Sequence, residues 1–420
     1  MIIRWQQREV LESLRYRRVV HVTGARQTGK TTLVKMLDLA ACRRYTMDDS
    51  GVRNAAKEDP IAFSERPASG PMVIDEVQKV PELLDAIKMR VDVDNTKGQY
   101  LLTGSSNLDF SKKVNDSLAG RLHSVRLRTL SLGEIAGREP DFLSNAFNRR
   151  FDDSDVPLGK RDVIRLAFKG GYPECRDFPE RPRKSWFADY LEHLLKKDIR
   201  DVTEIRKLDA LREIALWLLA HSSKFFTIEE LCGKSSIGKV TAESYLSALC
   251  ALYVFDKIPA WSKTDYDRIG KRPKYFATDT GLMANLLGWD EETAFLDSDL
   301  SGKLVESWVY HELSALADAE GGYTISQYRD KNRREVDFIV ENEKGDLLGV
   351  EVKAGANVGR RHPAHRAERV PDVRRRGRSA GREPVGHDVH PLRHRERGEL
   401  GRRARRGSRT GVRRGDARAL

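Results

Sequence analysis

Residues 24–31, Gly-Ala-Arg-Gln-Thr-Gly-Lys-Thr, have the G-x-x-x-x-G-K-T spacing of a phosphate-binding loop. In such a loop the glycines let the backbone fold around a polyphosphate, and successive backbone N–H groups bind its oxygens. The lysine, Lys30, reaches the β- and γ-phosphates, and the hydroxyl of Thr31 is a ligand of Mg²⁺. The pattern therefore predicts that ATP and Mg²⁺ are bound by Gly24, Ala25, Arg26, Gln27, Thr28, Gly29, Lys30, Thr31 and Thr32.

Two acidic residues, Asp75 and Glu76, end an apolar segment about forty-five residues after the loop. A strand that ends in Asp-Glu places the first carboxylate on Mg²⁺ and leaves the second to polarise the attacking water. Taken alone, the pair also fits an ordinary acidic turn after a strand. Its separation from the loop in sequence, however, is the one at which a P-loop fold places this strand end, which favours a catalytic role. We therefore predict that Asp75 is a magnesium ligand and that Glu76 is the catalytic base.

Further polar groups are candidates for sensing or stabilising the γ-phosphate. The apolar segment at 100–104 ends in a polar cluster from which the sequence alone selects no sensor: Thr103, Ser105, Ser106 and Asn107. Arg121, in Leu118-Ala-Gly-Arg, fits an arginine finger supplied by a neighbouring copy, which would make the protein a homo-oligomer. The alternative for Arg121 is a structural or surface arginine.

The elements that must position these residues alternate between short apolar strands and helical patterns across residues 1–137. This alternation predicts an α/β domain with a parallel sheet, in which residues 32–40 form a helix. A polar segment at 138–160 is predicted to be an irregular linker. Residues 161–285 are predicted to be a mostly helical domain, and residues 286–357 a smaller α/β module with a helix followed by two strands.

Within the helical region, Thr227 and Glu230 have the spacing of a capping box at the start of a short helix. A turn, a second helix at about 240–251 and an apolar strand, Leu252-Tyr-Val-Phe, follow, which is the order of a winged helix-turn-helix. The second helix carries Glu243 and no arginine. Domain packing or protein contact is therefore favoured over DNA contact, although the basic loop at 263–274 has charges that suit phosphate.

The net charge of +12 does not indicate a nucleic-acid partner, because it comes from the last part of the sequence. Residues 358–420 contain 20 Arg, no Lys and 7 acidic residues, so the first 357 residues carry a net charge of −1. The four cysteines lack the spacing of a zinc site or a disulfide framework. No apolar run is long enough to span a membrane and no secretory signal is visible, so we expect a cytoplasmic protein.

Four segments resemble a widespread group of prokaryotic AAA-type P-loop ATPases: Gly24-Ala-Arg-Gln-Thr-Gly-Lys-Thr-Thr-Leu, Ile74-Asp-Glu-Val-Gln-Lys-Val-Pro, Leu102-Thr-Gly-Ser-Ser and Leu118-Ala-Gly-Arg. Three later segments are similar to that group's C-terminal half, a domain of unknown function: Gly170-Gly-Tyr-Pro-Glu, Tyr275-Phe-Ala-Thr-Asp-Thr-Gly-Leu and Glu335-Val-Asp-Phe-Ile-Val. The resemblance covers about residues 1–356. It implies an AAA-like ATPase core, a winged-helix middle and a restriction-endonuclease-like end.

The C-terminal module contains acidic residues in the order of a PD-(D/E)XK nuclease site. Asp337 and Glu351 are placed to hold a divalent metal ion, Lys353 to orient or activate water, and Glu306 to add an acid from the preceding helix. Alternation along the second strand puts Glu351 and Lys353 on one face, opposite its apolar residues. An inherited fold without cleavage is favoured over an active nuclease.

Residues 358–420 lack Lys, Ile, Phe, Trp, Tyr, Asn, Gln, Met and Cys and have no helix or strand period, so we expect this Arg-rich tail to be disordered. GC-rich DNA read in a wrong frame favours Arg, Gly, Pro and Ala codons. We interpret the tail as the product of a frameshift near Val358, which would leave the nuclease-like module incomplete. A basic arm that binds nucleic acid is the alternative.

The function that these features favour is an ATPase that couples Mg-ATP binding and hydrolysis to its C-terminal module. Two alternatives remain. One is a nucleotide-gated regulator that binds DNA and hydrolyses little ATP, and the other is a metal-dependent nuclease licensed by ATP.

Overall fold

The computed structural model describes residues 2–354 apart from 66–69, 106–117, 119, 151–157, 202–206, 236, 263–271 and 331–333. The described residues lie within one compact unit, Met1–His362. The expectations for Ser106, Asn107, most of the basic loop at 263–274 and the tail at 358–420 concern residues outside this set, and they stay predictions.

A five-stranded parallel sheet forms the first part of the chain, with strand order β2-β3-β4-β1-β5. Its strands are β1 Val19–Thr23, β2 Arg43–Thr46, β3 Met72–Asp75, β4 Tyr100–Gly104 and β5 Leu122–Arg126. The described helices of this part are α1 Gln6–Tyr16, α2 Lys30–Met36, α3 Ser50–Glu58, α4 Pro60–Phe63 and α5 Glu82–Val93. Apolar side chains form two cores against this sheet, which confirms the α/β prediction.

The central strands β1 and β4 are buried along their whole length, as parallel strands are when helices cover both faces of a sheet. Val19, at the start of β1, pairs with Tyr100 of β4 and with Leu122 of β5. The loops that follow β1, β3 and β4 therefore leave the sheet at the same carboxyl edge. In open parallel sheets this is the edge where ligands bind.

Helix α2 is shorter than the sequence predicts, since it ends at Met36 rather than Ala40. Leu37 adopts an extended conformation, and the Arg44 guanidinium donates to the carbonyl oxygens of Val34 and Leu37 at 2.8 and 3.3 Å. A side chain from β2 thus satisfies the last carbonyl groups of the helix and ends it there.

The described part of residues 131–251 is mainly helical, so the helical part begins earlier than the helical domain predicted at 161–285. Its helices are α6 Leu132–Ile135, α7 Phe142–Phe147, α8 Lys160–Lys169, α9 Glu180–Lys196, α10 Leu208–Ala220, α11 Ile228–Ser235 and α12 Lys239–Ala251. Helix α7 lies in the segment predicted to be irregular, where Leu143 is buried and the Glu320 carboxylate accepts two backbone N–H groups at 2.8 Å. The capping box is confirmed, with Glu230 N–H donating to Thr227 Oγ1 at 3.2 Å.

Helix α12 is followed by two antiparallel strands, β6 Phe255–Ile258 and β7 Lys274–Ala277. The prediction of a strand beginning at Leu252 is wrong. Leu252 caps α12, and Tyr253 has a left-handed backbone with φ 59°. This turn aims the Tyr253 hydroxyl at the Thr23 hydroxyl, 2.6 Å away at the end of β1. The apolar residues before Phe255 thus form a turn that contacts β1, and the strand begins only after them.

The last described part contains the helices α13 Thr280–Leu286, α14 Glu291–Leu296 and α15 Ser298–Glu320, and the strands β8 Tyr323–Arg329, β9 Glu335–Asn342 and β10 Leu347–Val350. The strands form an antiparallel sheet in the order β10-β9-β8. The sequence predicts two strands after the helix, and the structure adds β8 ahead of them. Because β10 ends at Val350, Glu351 and Lys353 lie beyond the strand that was predicted to carry them.

A backbone contact between Leu130 and Gly171 joins the sheet domain to the helical part. Leu130 N–H donates to Gly171 O at 2.8 Å, and a Cβ at Gly171 would lie 2.3 Å from Leu130 O. The Asp279 carboxylate accepts the N–H groups of Gly171 and Leu282 at 2.7 and 2.8 Å. The two sequence segments around Gly171 and Asp279 therefore form one joint, at which any side chain on Gly171 would collide with backbone.

Two expectations from composition concern residues that the structure describes. All four cysteines are free in the structure. Among the described helices, none has both the length and the apolar character of a membrane span.

Candidate functional site

The predicted phosphate-binding loop connects β1 to α2 at the carboxyl edge of the sheet. Gly24 has φ 148°, and a Cβ there would lie 2.1 Å from Leu127 O, so the loop passes too close to the neighbouring segment for a side chain. Gln27 and Gly29 also have positive φ, 62° and 97°. These turns carry the chain from the end of the strand into the helix, which is the context that the motif requires.

The other loop residues differ in their exposure. Ala25 and Thr28 are buried, and the Thr28 hydroxyl donates to Ala25 O at 2.9 Å, which braces the loop from inside. Arg4 donates to Thr28 O at 2.8 Å, and Glu134 holds the same guanidinium at 2.8 Å. Thr32 is exposed on the first turn of α2. The loop is thus fixed from inside by buried contacts.

The Lys30 ammonium lies across the loop and donates to the carbonyl oxygens of Gly24 and Ala25, at 2.9 and 2.7 Å. Lys30 is only 5% exposed. Burial lowers the pKa of Lys30 to about 8, against the opposing effect of Glu76 and Asp75. A phosphate is a strong partner for a desolvated ammonium, so Lys30 is suited to bind one.

Thr31 and Asp75 face each other across the carboxyl edge. The Thr31 hydroxyl donates to both carboxylate oxygens of Asp75, at 3.1 and 2.9 Å, and the Thr103 hydroxyl donates to the same carboxylate. In nucleotide sites Mg²⁺ takes one or two protein oxygens and completes its shell with phosphate and water. This pair of oxygen ligands fits that requirement. In the described parts of the chain, no cluster of three or more His, Cys, Asp or Glu side chains is arranged to hold a metal ion.

Glu76 follows Asp75 in a left-handed conformation, with φ 58°. Its N–H donates to Thr103 Oγ1 at 3.2 Å, and its carboxylate accepts from the Gln78 amide and, at 3.3 Å, from the Ser105 hydroxyl. The Gln78 amide also donates to Ser105 Oγ at 3.0 Å. The ends of β3 and β4 therefore position this carboxylate together. Of the four sensor candidates, the structure places Thr103 on Asp75 and Ser105 on Glu76.

Side chains of the helical part contact the loop from outside. Arg26 is paired with Asp198, just after α9, at 2.6 Å, and the Gln27 amide donates to Glu174 at 3.3 Å. The Tyr190 hydroxyl, on α9, donates to Arg26 O at 3.5 Å. Burial disfavours the charged form of Arg26, but Asp198 outweighs it and raises the pKa of Arg26. Two consecutive residues of the loop are thus bonded to the next part of the chain.

Arg121 lies at the opposite edge of the sheet from the loop. It precedes β5, whose first residue Leu122 pairs with Val19, whereas the loop begins after Thr23. Five residues of strand separate the two levels, roughly 16 Å. The Arg121 guanidinium forms a two-point ion pair with Asp92, with Nη2 at 3.0 Å from Oδ2. Arg121 therefore cannot reach the phosphate-binding loop of its own chain.

Helix α12, the second helix of the predicted winged-helix unit, presents a mixed outer face. Val240, Glu243 and Ser244 are exposed, and Lys239 is paired with Glu229 at 3.4 Å. The order of two helices and a strand is the one expected from the sequence, but the strand begins at Phe255 rather than Leu252, and β7 was not predicted. Whether this face contacts DNA or protein stays a prediction.

The residues predicted for a nuclease-like site are paired with cations or backbone. Glu351 is exposed and bonded to Lys353. Asp337 accepts the N–H of Val352 at 2.7 Å, and Glu306 accepts from the Lys274 ammonium at 3.0 Å. Burial raises the pKa of Glu306. A metal role for Asp337 and Glu351 therefore stays a prediction that these contacts do not support.

Sequence reasoning missed Gln78 and Asp198, and it counted Lys274 among the basic loop residues suited to phosphate, whereas the structure buries Lys274 against Glu306. Gln78 stands within a segment that carried the family resemblance, two residues after Glu76, so its position was a usable signal. Asp198 and Lys274 meet their partners over 172 and 32 residues of sequence. No local pattern could have indicated those partners.

Comparisons with known proteins divide the chain into three segments. Residues 16–136 match the family model described as an AAA domain. Residues 160–293 match a domain of unknown function (DUF8612), and residues 301–379 match another (DUF4143).

Similar proteins include two uncharacterized ones, from Mycobacterium bovis and Mycobacterium tuberculosis. Each is 28% identical over 343 residues, which cover 80% of this chain and 70% of the relative. Among solved structures, a variant of RuvB from Thermotoga maritima is 13% identical with a TM-score of 0.26, over 61% of this chain and 89% of its own. The sheet order, the loop and the family match over residues 16–136 agree in supporting an AAA-type domain with a phosphate-binding loop in the first part of this chain.

Proposed function

We propose that this protein binds Mg-ATP in its AAA domain, hydrolyses it, and transmits the nucleotide state to the helical and C-terminal parts. The observation that carries the ATPase proposal is the convergence of Lys30, Thr31, Asp75 and Glu76 at one edge of the sheet. These residues come from two separate segments, one after β1 and one at the end of β3. Their meeting supplies a cation for phosphate, oxygen ligands for Mg²⁺ and a carboxylate for water.

In this proposal Lys30 binds the β- and γ-phosphates. Thr31 and Asp75 would hold Mg²⁺, which would supply positive charge to the phosphate oxygens. Glu76 accepts a proton from the attacking water while the oxygen of that water bonds to the γ-phosphorus. The bond from that phosphorus to the β–γ bridging oxygen breaks, which yields ADP and phosphate. Gln78 and Ser105 keep the Glu76 carboxylate oriented during the proton transfer.

The contacts of Arg26 and Gln27 support transmission to the rest of the chain. A triphosphate in the loop brings several negative charges close to Asp198 and offers Arg26 a second anionic partner. Arg26 then exchanges Asp198 for phosphate, and the short helix Asp198–Asp201 loses its hold on the loop. The nucleotide state is thereby coupled to the end of α9.

Asp198→Asn is expected to tighten ATP binding about fivefold, about 1 kcal/mol, because it removes a repelling charge and releases Arg26. Calorimetry measures the affinity. Hydrogen exchange at residues 198–201 measures the coupling, and should rise with ATP in the wild type but be high without ATP in the variant. Glu192→Gln is the matched control, since it removes the same charge from α9 but its partner is Lys196. Unchanged affinity and exchange in Asp198→Asn would refute this route.

We also infer that Arg121 acts on the nucleotide of a neighbouring copy, because its own loop is out of reach. Turnover per chain is then expected to rise with protein concentration. Mixing Arg121→Ala with Lys30→Ala protein is expected to restore activity, since the first keeps an intact loop and the second an intact finger. Arg90→Ala is the control. Arg90 is on α5, as Asp92 is, and the substitution breaks its surface ion pair with Glu65. No recovery on mixing, together with a rate independent of concentration, would leave Arg121 structural.

Turnover measured with and without double-stranded DNA tests the proposal against a DNA-gated regulator. A hydrolase of the proposed kind has measurable turnover without DNA. A protein that binds ATP but hydrolyses it neither alone nor with DNA would contradict the ATPase proposal and favour the regulator.

A further inference from the structure

A buried lysine, Lys274, lies among the acidic residues of the C-terminal module. It is the first residue of β7 and pairs with Ile258 of β6. Its ammonium is 3.0 Å from Glu306 Oε1, on α15, and 2.7 Å from Glu335 Oε1, at the start of β9. Three separate elements thus meet at one cation.

The surroundings of Lys274 make its ammonium a fixed part of the interior. Its side chain is 2% exposed, and the ammonium lies 5.1 Å from the centre of the Phe225 ring. Burial disfavours the charged form, yet Glu306 and Glu335 outweigh it and raise the pKa of Lys274. The two carboxylates thus favour the charged form of Lys274.

The acidic side of this cluster resembles the sites in which proteins hold divalent cations. Glu306 and Glu335 each place one carboxylate oxygen against the Lys274 ammonium. Asp337 lies two residues after Glu335 and therefore on the same face of β9. Asp337 is close enough to Glu306 to raise its pKa further, after the larger effect of burial. Carboxylates gathered in this way require a cation, because like charges at short distance repel.

The residues that would complete a nuclease-like site are engaged elsewhere. Glu351 and Lys353 are exposed and bonded to each other after the end of β10. Within the described residues, no group of three His, Cys, Asp or Glu side chains is arranged for a metal. Of the residues predicted for that site, only Glu306 contacts the Lys274 ammonium, and the second carboxylate there belongs to Glu335, which was not predicted.

We propose that the Lys274 ammonium takes the place of a divalent cation between Glu306 and Glu335, so that this module keeps its acidic cluster without a metal. The cluster is then a structural junction of β7, α15 and β9. Glu306, the residue of the predicted PD-(D/E)XK set in this cluster, is then bonded to a protein cation rather than to a metal ion. This role is independent of the ATPase proposal, because it involves none of the residues at the phosphate-binding loop.

Two variants of Lys274 separate the charge from the space it fills. Lys274→Ala removes the ammonium and leaves room for an ion between the two carboxylates, whereas Lys274→Met removes the charge but fills much of the same volume. Bound Mn²⁺ is counted by the loss of the free-ion electron paramagnetic resonance signal, without nucleotide and with the full chain. We expect one additional Mn²⁺ in Lys274→Ala, with affinity at least tenfold above any site of the wild type, and none in Lys274→Met.

Glu306→Gln shows whether the wild-type cluster itself takes a metal. The wild type and Glu306→Gln are expected to bind the same number of Mn²⁺ ions, since ions bound near Asp75 are common to both. A Mn²⁺ ion that the wild type binds and Glu306→Gln loses would overturn the proposal. So would a folded Lys274→Ala protein, judged by circular dichroism and retained ATP binding, that gains no Mn²⁺. If Lys274→Ala does not fold, the comparison of wild type with Glu306→Gln decides.

Discussion

Lys30→Ala is expected to lower ATP affinity at least about 100-fold, about 2.8 kcal/mol, so that binding disappears from an ordinary calorimetric titration. The ammonium is the buried cation of the loop, and a phosphate bound there without it would lose a charge-assisted hydrogen bond in a desolvated site. The loss therefore exceeds that of a surface charge.

Lys35→Ala provides the matched comparison for this result. Lys35 is on the same helix, five residues later, and is exposed. Both variants remove one positive charge from α2, so a difference between them reports position rather than net charge. We expect ATP affinity within about twofold of the wild type for Lys35→Ala. Wild-type affinity in Lys30→Ala would remove the basis for the nucleotide site.

Glu76→Gln is expected to bind ATP as the wild type does and to hydrolyse it at least about tenfold more slowly. The amide keeps the shape of the side chain and can still accept hydrogen bonds from Gln78 and Ser105, but it cannot take a proton from water. Single-turnover measurement of phosphate release, with calorimetry in parallel, separates the chemical step from binding.

Glu82→Gln is a suitable control for Glu76→Gln, because Glu82 is exposed at the start of α5. It removes the same charge six residues later and is expected to leave turnover unchanged. If Glu76→Gln turns over at the wild-type rate, another group accepts the proton, and the role assigned to this carboxylate is wrong.

The parts of the molecule that the sequence predicts best are those in which the signal is local. The loop at 24–31 and the strand that ends at Asp75 follow from spacing and from apolar runs, and both lie where the pattern implies. Their meeting with Thr103 was predictable as well, since strands of a parallel sheet end at a common edge.

The predictions that failed concern residues whose conformation is set by distant partners. Leu252 and Tyr253 are apolar enough for a strand, yet the contact of Tyr253 with Thr23 makes them a turn. The helix after the loop ends early because Arg44, from the next strand, takes its final carbonyl groups. Local propensity contributes only tenths of a kcal/mol per residue, so one such tertiary contact outweighs it.

The backbone contact between Leu130 and Gly171 limits how freely the two halves of such chains can be exchanged in evolution. A lost side-chain contact can be restored by a second substitution in the partner. A Cβ on residue 171 would lie 2.3 Å from the backbone oxygen of Leu130, and no change of the Leu130 side chain removes that oxygen. A hybrid gene that joins the first half of one homologue to the second half of another must preserve this approach within a few tenths of an ångström. We therefore expect viable recombination points to fall outside residues 130–171, so that Leu130 and Gly171 come from the same parent.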